Sequence, residues 1–378
     1  MTYRHPTAAE REAIWDLIAD SFPNPRARQP EVRASLSADP DYAPDRTIVA
    51  ADEQGRIVGH AACQATELSL GGARLPVARL GTVCTAADAR RQGLGARLVE
   101  AAAALAPQAA AVVLDPAPHR YVEVFYEGLG FVAARRSRPL REVMAGRLPA
   151  VAAAGRLAAA DDVPALAAIY EAHYGHQIGC LKRTAAWWRR RVRREALLWS
   201  DLRPEIRVAE RDGAPVAYIV STDDDGLRVW EWAGAEPEAW ALLADEARRA
   251  GPRFSILITP RDPLWPALER IDPADVAPEP TAFMVRARPG RRLTEVLTTV
   301  LAAGGATLAP DRDEAILRLG AARLTTDWHR LLALVYDGRV LEEWVRQRHA
   351  RIEPNQAAAD FAELLPPRQA GRRLTDAF

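Results

Sequence analysis

Two arginines and two glycines, in the run Arg90–Gly95, stand where a strand pattern gives way to a helix pattern. Residues 75–85 alternate like a strand, and residues 94–106 have the periodicity of an alanine-rich helix. The first amides of a helix lack partners within it, and with the helix dipole they attract anions. The glycines leave the backbone open to a phosphate, and the arginines add positive charge. The run therefore predicts a site for a phosphate-bearing ligand.

The same run does not match the better-known phosphate loops. No Gly-Lys-Ser/Thr follows it, as a P-loop requires, and the first glycine of the dinucleotide pattern Gly-x-Gly-x-x-Gly is missing. Taken alone, it is equally compatible with an ordinary helix start that has incidental glycines and solvated arginines. A second motif is needed to decide between the two interpretations.

That second motif, Phe125–Phe131, reads Phe-Tyr-Glu-Gly-Leu-Gly-Phe and follows about thirty residues later. The pattern predicts that a short helix ends at Gly128 and that a strand begins after Gly130. The two motifs, in this order and at this spacing, resemble those of the GNAT acetyltransferase superfamily. The resemblance implies a mixed α/β (α+β) fold and acetyl-coenzyme A as co-substrate. It also implies direct transfer of the acetyl group to an amine within a ternary complex.

The resemblance also assigns roles to individual residues. The strand before the loop would line the pantetheine arm of coenzyme A, and the loop with the first turn of its helix would hold the pyrophosphate. The cofactor-binding residues so predicted are Val83, Cys84, Thr85, Arg90, Arg91, Gly93, Leu94, Gly95 and Ala96.

Tyr126, in the second motif, is the predicted general acid. A phenol, with an ordinary pKa near 10, can protonate a departing thiolate whose ordinary pKa is near 8.5. The alternative is that Tyr126 only packs the helix on the sheet. Cys84 raises the alternative of a covalent mechanism, but we interpret it as a small strand residue.

Strand and helix patterns divide the chain into three predicted domains. The first, 1–148, has a helix over 8–22, strands over 46–51, 56–69 and 110–114, a helix over 121–127 and a strand within 131–144. The second, 149–288, is interpreted as a diverged, non-catalytic copy with a hairpin of strands 206–220 and 227–232. Its further strands are 255–259 and 283–287, the latter closing the unit. The third, 289–378, opens with a helix over 292–301.

The whole chain resembles a narrower group, the Eis-like acetyltransferases, which have two GNAT folds and a C-terminal sterol-carrier-protein-like domain. The segments Arg183–Trp188 and Phe283–Arg286 and the aromatic Phe378 carry this resemblance. It implies that the terminal carboxylate of Phe378 joins Tyr126 in catalysis, and the alternative is a frayed terminus. It further implies an aminoglycoside, polyamine or lysine-type acceptor and a homo-oligomer, which in this group is often a hexamer.

Composition and charge limit the kinds of partner that the protein is expected to bind. Fifty basic residues balance fifty acidic ones, so nothing favours a nucleic-acid partner. Residues 1–6 are polar, and no apolar stretch is long enough for a membrane span, so a cytoplasmic protein without a membrane partner is expected. Three scattered cysteines and the pair His173 and His176 do not suggest a metal site. A non-catalytic module that senses acyl-coenzyme A or binds an apolar ligand remains the alternative function.

Overall fold

A computed structural model describes eleven stretches of the chain in two compact units. The first unit comprises Met1–Arg136 and the described residues from Thr281 onwards, and the second comprises Ser137–Pro280. The described stretches are 1–22, 28–37, 42–117, 119–148, 155–195, 204–223, 226–258, 262–271, 277–311, 313–336 and 350–353.

The first unit begins as an antiparallel meander to which one parallel strand is added. The strands of this part of the chain are β1 (Thr2–Arg4), β2 (Thr47–Ala51), β3 (Ile57–Leu70), β4 (Ala73–Thr85), β5 (Ala111–Leu114) and β6 (Val132–Met144). The helices are α1 (Arg11–Ser21), α2 (Pro30–Ser37), α3 (Leu94–Ala104) and α4 (Arg120–Glu127). Neighbouring strands from β1 to β4 are antiparallel, whereas β4 and β5 are parallel. These bounds confirm the predicted elements of residues 8–144.

The long hairpin of β3 and β4 forms the centre of this sheet. Gly71 and Gly72 join the strands with φ angles of +64° and +96°, which glycine adopts without steric cost. Helix α3 packs on β3 so closely that a Cβ at Gly59 would lie 2.6 Å from Leu98 Cδ1. Leu98 and Val99 are fully buried in the core between α3 and the sheet. Glycine at position 59 therefore sets how near the helix lies to the sheet.

The second unit repeats this arrangement of a meander followed by a parallel strand. Its strands are β7 (Arg156–Leu157), β8 (Glu205–Arg211), β9 (Ala214–Thr222), β10 (Arg228–Gly234) and β11 (Arg253–Leu257). Its helices are α5 (Val163–Tyr174), α6 (Ala185–Val192), α7 (Glu236–Ala250) and α8 (Trp265–Ile271). β7 to β10 are antiparallel neighbours, and β11 is parallel to β10.

One predicted strand of the second unit is wrong. Residues 206–220 are not a single strand but parts of β8 and β9, which pair through a tight turn at Asp212 and Gly213. Both turn residues have positive φ, +53° and +76°. Asp-Gly is the dipeptide that such hairpin turns favour, so the signal for the turn was present in the sequence.

Two strands, at residues 132–144 and 277–287, pair across the predicted domain boundaries. Met144 to Leu140 of β6 pair with Arg253 to Leu257 of β11 in the second unit. Conversely β12 (Ala277–Ala287) pairs with β5 in the first unit, with Met284 opposite Leu114. The prediction that 283–287 closes the second unit is therefore wrong, because strand pattern reveals a strand but not its partner.

Of the two compact units, the second contains residues 137–148 and the first contains residues 281–288. The division into three domains stays a prediction. The remaining part of the first unit contains a separate antiparallel sheet, β13 (Thr307–Asp311), β14 (Glu314–Leu319), β15 (Ala322–Asp327) and β16 (Ala350–Glu353). Two helices, α9 (Arg291–Ala302) and α10 (Trp328–Tyr336), accompany it. Among the helices that the structure describes, none is both long and apolar enough to cross a bilayer.

Candidate active site

Strands β4 and β5 are paired only at one end. The parallel register joins Val77 to Ala111 and stops at Arg79 opposite Val113. Strand β4 nevertheless continues for six more residues, to Thr85, whereas β5 ends at Leu114. Among the described residues, the β4 backbone beyond Arg79 lacks a β5 neighbour. Its N–H and C=O groups on that side are available to a ligand, apart from the Thr85 carbonyl, which accepts from Arg90.

A β-bulge interrupts the pairing of β4 with β3 in this part of the strand. On β3, His60 pairs with Cys84 and Ala62 with Gly81, so two steps on β3 correspond to three on β4. The extra residue causes a local kink, and Thr82 there has a φ of +48°. Sequence reasoning missed this bulge because one inserted residue leaves no distinct pattern in an otherwise apolar strand.

His60 lies beneath the bulge and is almost fully buried, with 1% of its surface exposed. Its Nδ1 is 2.9 Å from the carbonyl oxygen of Thr82. Since a carbonyl oxygen only accepts, Nδ1 carries the hydrogen and donates it. Burial lowers the pKa of His60 to about 4, so the ring is neutral near pH 7.

The predicted phosphate loop has the backbone of an anion site. Arg91 and Gly93 both have positive φ, +64° and +75°, and Gly93 is the N-cap of α3. Alternating left-handed residues turn successive backbone N–H groups toward one concave surface. The first helical bond of α3 runs from Arg97 N to Gly93 O, at 3.3 Å. The preceding amides point out of the helix end, and the exposed side chain of Arg90 is held near β4 by its Nε bond to Thr85 O, at 3.2 Å.

Gly95 brings this loop against the helix of the second motif. A Cβ at Gly95 would lie 3.2 Å from Phe125 Cζ and 4.0 Å from Thr85 Oγ1. From the sequence, Gly93 and Gly95 were both expected to leave the backbone open to a phosphate. The structure gives them separate reasons: Gly93 needs its left-handed φ and has open space beside it, whereas Gly95 makes room for an aromatic ring.

A Schellman motif fixes the second motif at the end of α4. Phe131 N donates to Tyr126 O at 3.1 Å, and Gly130 N donates to Glu127 O at 3.0 Å, with Gly130 at a φ of +82°. The rings of Tyr126 and Phe131 meet edge to face with centroids 5.5 Å apart, which is the apolar contact typical of this cap. This geometry explains the spacing of aromatic and glycine residues in the motif.

Tyr126 is buried, with 7% of its surface exposed. Burial, with a smaller contribution from the nearby Cys84 thiol, raises its pKa well above the ordinary value of 10. The phenol therefore stays protonated throughout the neutral range. Tyr126 also packs in the core, so the proposed acid and the packing alternative are compatible.

Cys84 lies close enough to Tyr126 to interact with it electrostatically, but it is not an activated nucleophile. Burial raises the pKa of its thiol to about 12. A reactive cysteine needs the opposite shift, because the thiolate is the nucleophile. This buried environment agrees with the interpretation of Cys84 as a small strand residue.

Other predicted residues fall into three groups. Val83 and Ala96 are half-buried beside the site, whereas the Leu94 side chain belongs to the core and only its backbone faces the loop. Phe378 lies outside the described residues, so its catalytic role stays a prediction.

The two histidines interpreted as a coincidental pair have separate surroundings. His173 accepts from Gly234 N at 3.4 Å, and His176 Nε2 donates to Ala172 O at 3.0 Å. Within the part of the chain that the structure describes, no group of three or more His, Cys, Asp or Glu side chains could hold a metal.

Comparison with known proteins agrees with this geometry. Residues 2–133, about a third of the chain, match the family model described as an acetyltransferase (GNAT) domain. No curated protein matches the sequence significantly. Residues 2–133 of the first unit are thus similar to a GNAT acetyltransferase domain, and this similarity suggests acyl transfer.

Solved structures extend the likeness to nearly the full length. A GCN5-related N-acetyltransferase from Kribbella flavida is 18% identical, with 98% of this chain and 96% of that chain covered and a TM-score of 0.70. A GCN5-related N-acetyltransferase from Anabaena variabilis is 16% identical, with the same coverage and a TM-score of 0.68. Eis1 from Mycobacterium abscessus is 17% identical over 96% of both chains, with a TM-score of 0.65. At these identities the likeness shows the mixed α/β fold.

Proposed function

We propose that the first unit is an N-acetyltransferase that moves an acetyl group from acetyl-coenzyme A to a primary amine. One observation carries the proposal: Gly95 of the anion loop lies against Phe125, the neighbour of Tyr126. This contact joins the group that would hold a phosphate to the group that would supply a proton. A ligand that is anionic at one end and reactive at the other suits this arrangement, and acetyl-coenzyme A is such a ligand.

The residues present fit that co-substrate. The left-handed Arg91 and Gly93, with the start of α3, supply backbone donors for a pyrophosphate, and Arg90 adds charge. The end of β4, from Val83 to Thr85, supplies backbone groups for the pantetheine arm because β5 no longer pairs there. These are the residues that the sequence predicted for cofactor binding.

The reaction follows from ordinary acyl-transfer chemistry. The neutral amine nitrogen attacks the thioester carbonyl carbon, a C–N bond forms and the C–S bond breaks. Tyr126 donates its proton to the departing sulfur, and the proton lost by the amine passes to solvent. Burial raises the pKa of Tyr126, which keeps the phenol protonated when the substrates bind but makes it a weaker acid. The transfer therefore depends on the negative charge that develops on sulfur within the same buried site. Backbone N–H groups near the β4 bulge would stabilise the charge that builds on the carbonyl oxygen.

We infer that the second unit is a non-catalytic copy of the same fold. Its helix α7 follows β10 as α3 follows β4, but its first turn carries Glu236 and Glu238 and a proline in place of arginines and glycines. Carboxylates at a helix N-terminus occupy the favourable end of the dipole and repel a phosphate. We further infer that the small sheet of β13 to β16 belongs to the sterol-carrier-like domain expected from the resemblance.

The acceptor class is tested by following coenzyme A release with a thiol reagent. The panel would contain aminoglycosides, polyamines, lysine peptides and arylalkylamines, each with acetyl-coenzyme A. We expect turnover on at least one class of primary amine and none on matched alcohols. Binding of coenzyme A without turnover on any amine would contradict the proposal and favour a sensor of acyl-coenzyme A.

A further inference from the structure

Thr82 has a backbone conformation that its side chain disfavours. A φ of +48° is unusual for any residue other than glycine, and for a β-branched residue it is a clear outlier. Such strain persists only where neighbouring groups fix the backbone, and it is concentrated at functional sites. A group in the first unit must therefore hold the Thr82 backbone in place.

The group that contacts the Thr82 backbone is His60. Its Nδ1 donates to the Thr82 carbonyl oxygen at 2.9 Å, across the strand pair at the step where the register shifts. With 1% of its surface exposed, the His60 ring has little water to bond in place of the Thr82 carbonyl. A hydrogen bond buried in this way favours the bulged backbone over a regular strand, since a regular β4 would leave the imidazole N–H unsatisfied.

The second unit provides an internal comparison. Strand β10 also has a register shift against β9, between Val229 and Glu231. Trp230, the extra residue there, is not among the described residues with positive φ. Its indole Nε1 donates to Thr222 Oγ1 at 2.9 Å. A bulge in this fold therefore does not require a left-handed residue, and the strained form occurs in the unit that has the anion loop.

We propose that His60 is a positioning residue: through the Thr82 carbonyl it holds the bulge that turns the backbone from Val83 to Thr85 toward the acyl group. This inference rests on the proposed function, because those backbone groups are the ones assigned to the pantetheine arm that carries the thioester. His60 itself touches no reacting atom. Its effect on turnover passes through the bulge alone. The effect should therefore be smaller when the backbone at position 82 is not strained.

That dependence can be measured with four proteins: the wild type, His60→Phe, Thr82→Gly and the double variant. Phenylalanine fills the space of imidazole but cannot donate, and glycine adopts a φ of +48° without strain. We expect His60→Phe to lower kcat about tenfold, the factor that corresponds to losing roughly the strain of one left-handed residue. We expect a clearly smaller drop when the same change is made in the Thr82→Gly background, since a glycine bulge needs no support. The affinity for coenzyme A should fall less than kcat, because the pyrophosphate loop at α3 is untouched and only the pantetheine contacts lie beside the bulge.

A further variant separates positioning from packing. His60→Asn retains a side-chain N–H near the place of Nδ1, so it should recover more of kcat than His60→Phe even if it is less stable. Equal losses of kcat from His60→Phe in both backgrounds, or no loss in either, would overturn the proposal.

The unfolding free energies of the same four proteins give a readout independent of turnover. Coupling between positions 60 and 82 in stability, found in a protein that acetylates no amine, would mean that the proposed function has failed and the bulge assignment has not. Coupling absent from both stability and kcat would overturn the role of His60 itself.

Discussion

The edge of the Phe125 ring lies against the backbone of Gly95, where a Cβ would stand 3.2 Å from Phe125 Cζ. This separation is tighter than most side-chain contacts, so any residue larger than glycine would have to displace the ring. Because Phe125 precedes Tyr126 on α4, a displaced ring would also shift the proposed acid. The anion loop and the acid are thus coupled through a single contact.

The substitution Gly95→Ala tests that coupling. Alanine within a helix gains up to about 1 kcal/mol over glycine, whereas overpacking costs about 1–3 kcal/mol. We expect overpacking to prevail in the wild-type background, with a net loss of stability and a reduced kcat. In a Phe125→Leu background the clash is removed, and the same substitution should become neutral or stabilising. Urea unfolding and steady-state kinetics would show this change of sign, and Gly146→Ala, in open space on the second unit, is the matched control.

Gly93 responds to substitution for a different reason. Its φ of +75° is the difficulty, since no atom lies within 4 Å of a Cβ there. Asparagine tolerates left-handed backbone better than alanine, and valine tolerates it least. We expect affinity for coenzyme A, measured by calorimetry, to fall in the order Gly, Asn, Ala, Val, with about a tenfold loss for alanine. An order that followed side-chain size alone, with alanine better than asparagine, would contradict this account.

His60 makes the first unit sensitive to mild acid. Its pKa is lowered from the ordinary 6.5 to about 4 in the folded chain, so the unfolded chain binds more protons between these values. Stability is therefore complete above about pH 6.5 and is lost as the pH falls toward 4, by up to about 3 kcal/mol. We expect His60→Asn to flatten the unfolding free energy between pH 6.5 and 4.5. A variant with the same slope as the wild type would show that another group carries this dependence.

The second unit contains a buried ion pair whose loss should be costly. Arg183 donates to Glu231 through Nη1 at 2.8 Å and Nη2 at 2.6 Å, and both side chains are almost fully buried. Glu231→Gln leaves the guanidinium buried without its carboxylate, which typically costs about 3–5 kcal/mol. The matched control is Glu238→Gln, which breaks an ion pair with the exposed Arg211 and should cost less than about 1 kcal/mol. Equal effects in thermal unfolding would contradict the importance assigned to burial.

The sequence predicted most of the elements and both motifs because their signals are local. Helix starts, glycine turns and apolar periodicity depend on neighbouring residues, and the cap at Gly130 follows from one short segment. The roles of the cofactor-binding residues and of Tyr126 were assigned from those motifs by resemblance, and they stay predictions.

What the sequence did not reveal depends on partners distant along the chain. The pairing of β12 with β5 joins residues about 170 positions apart, and no local pattern distinguishes it from pairing within the second unit. The bulge at Thr82 and its bond from His60 arise from a register shift of one residue. The hairpin turn at Asp212 and Gly213 is different, since its Asp-Gly signal was present and was passed over in favour of a longer strand.

The most direct test of the account is a comparison of Tyr126→Phe with the wild type, on an amine that the panel shows to be acetylated. The variant removes only the hydroxyl, so the packing against Phe131 is retained. We expect kcat to fall about 10²- to 10⁴-fold while the dissociation constant for acetyl-coenzyme A stays within twofold. Undiminished kcat in this variant would show that the proton reaches the sulfur by another route and would contradict the assignment of the site.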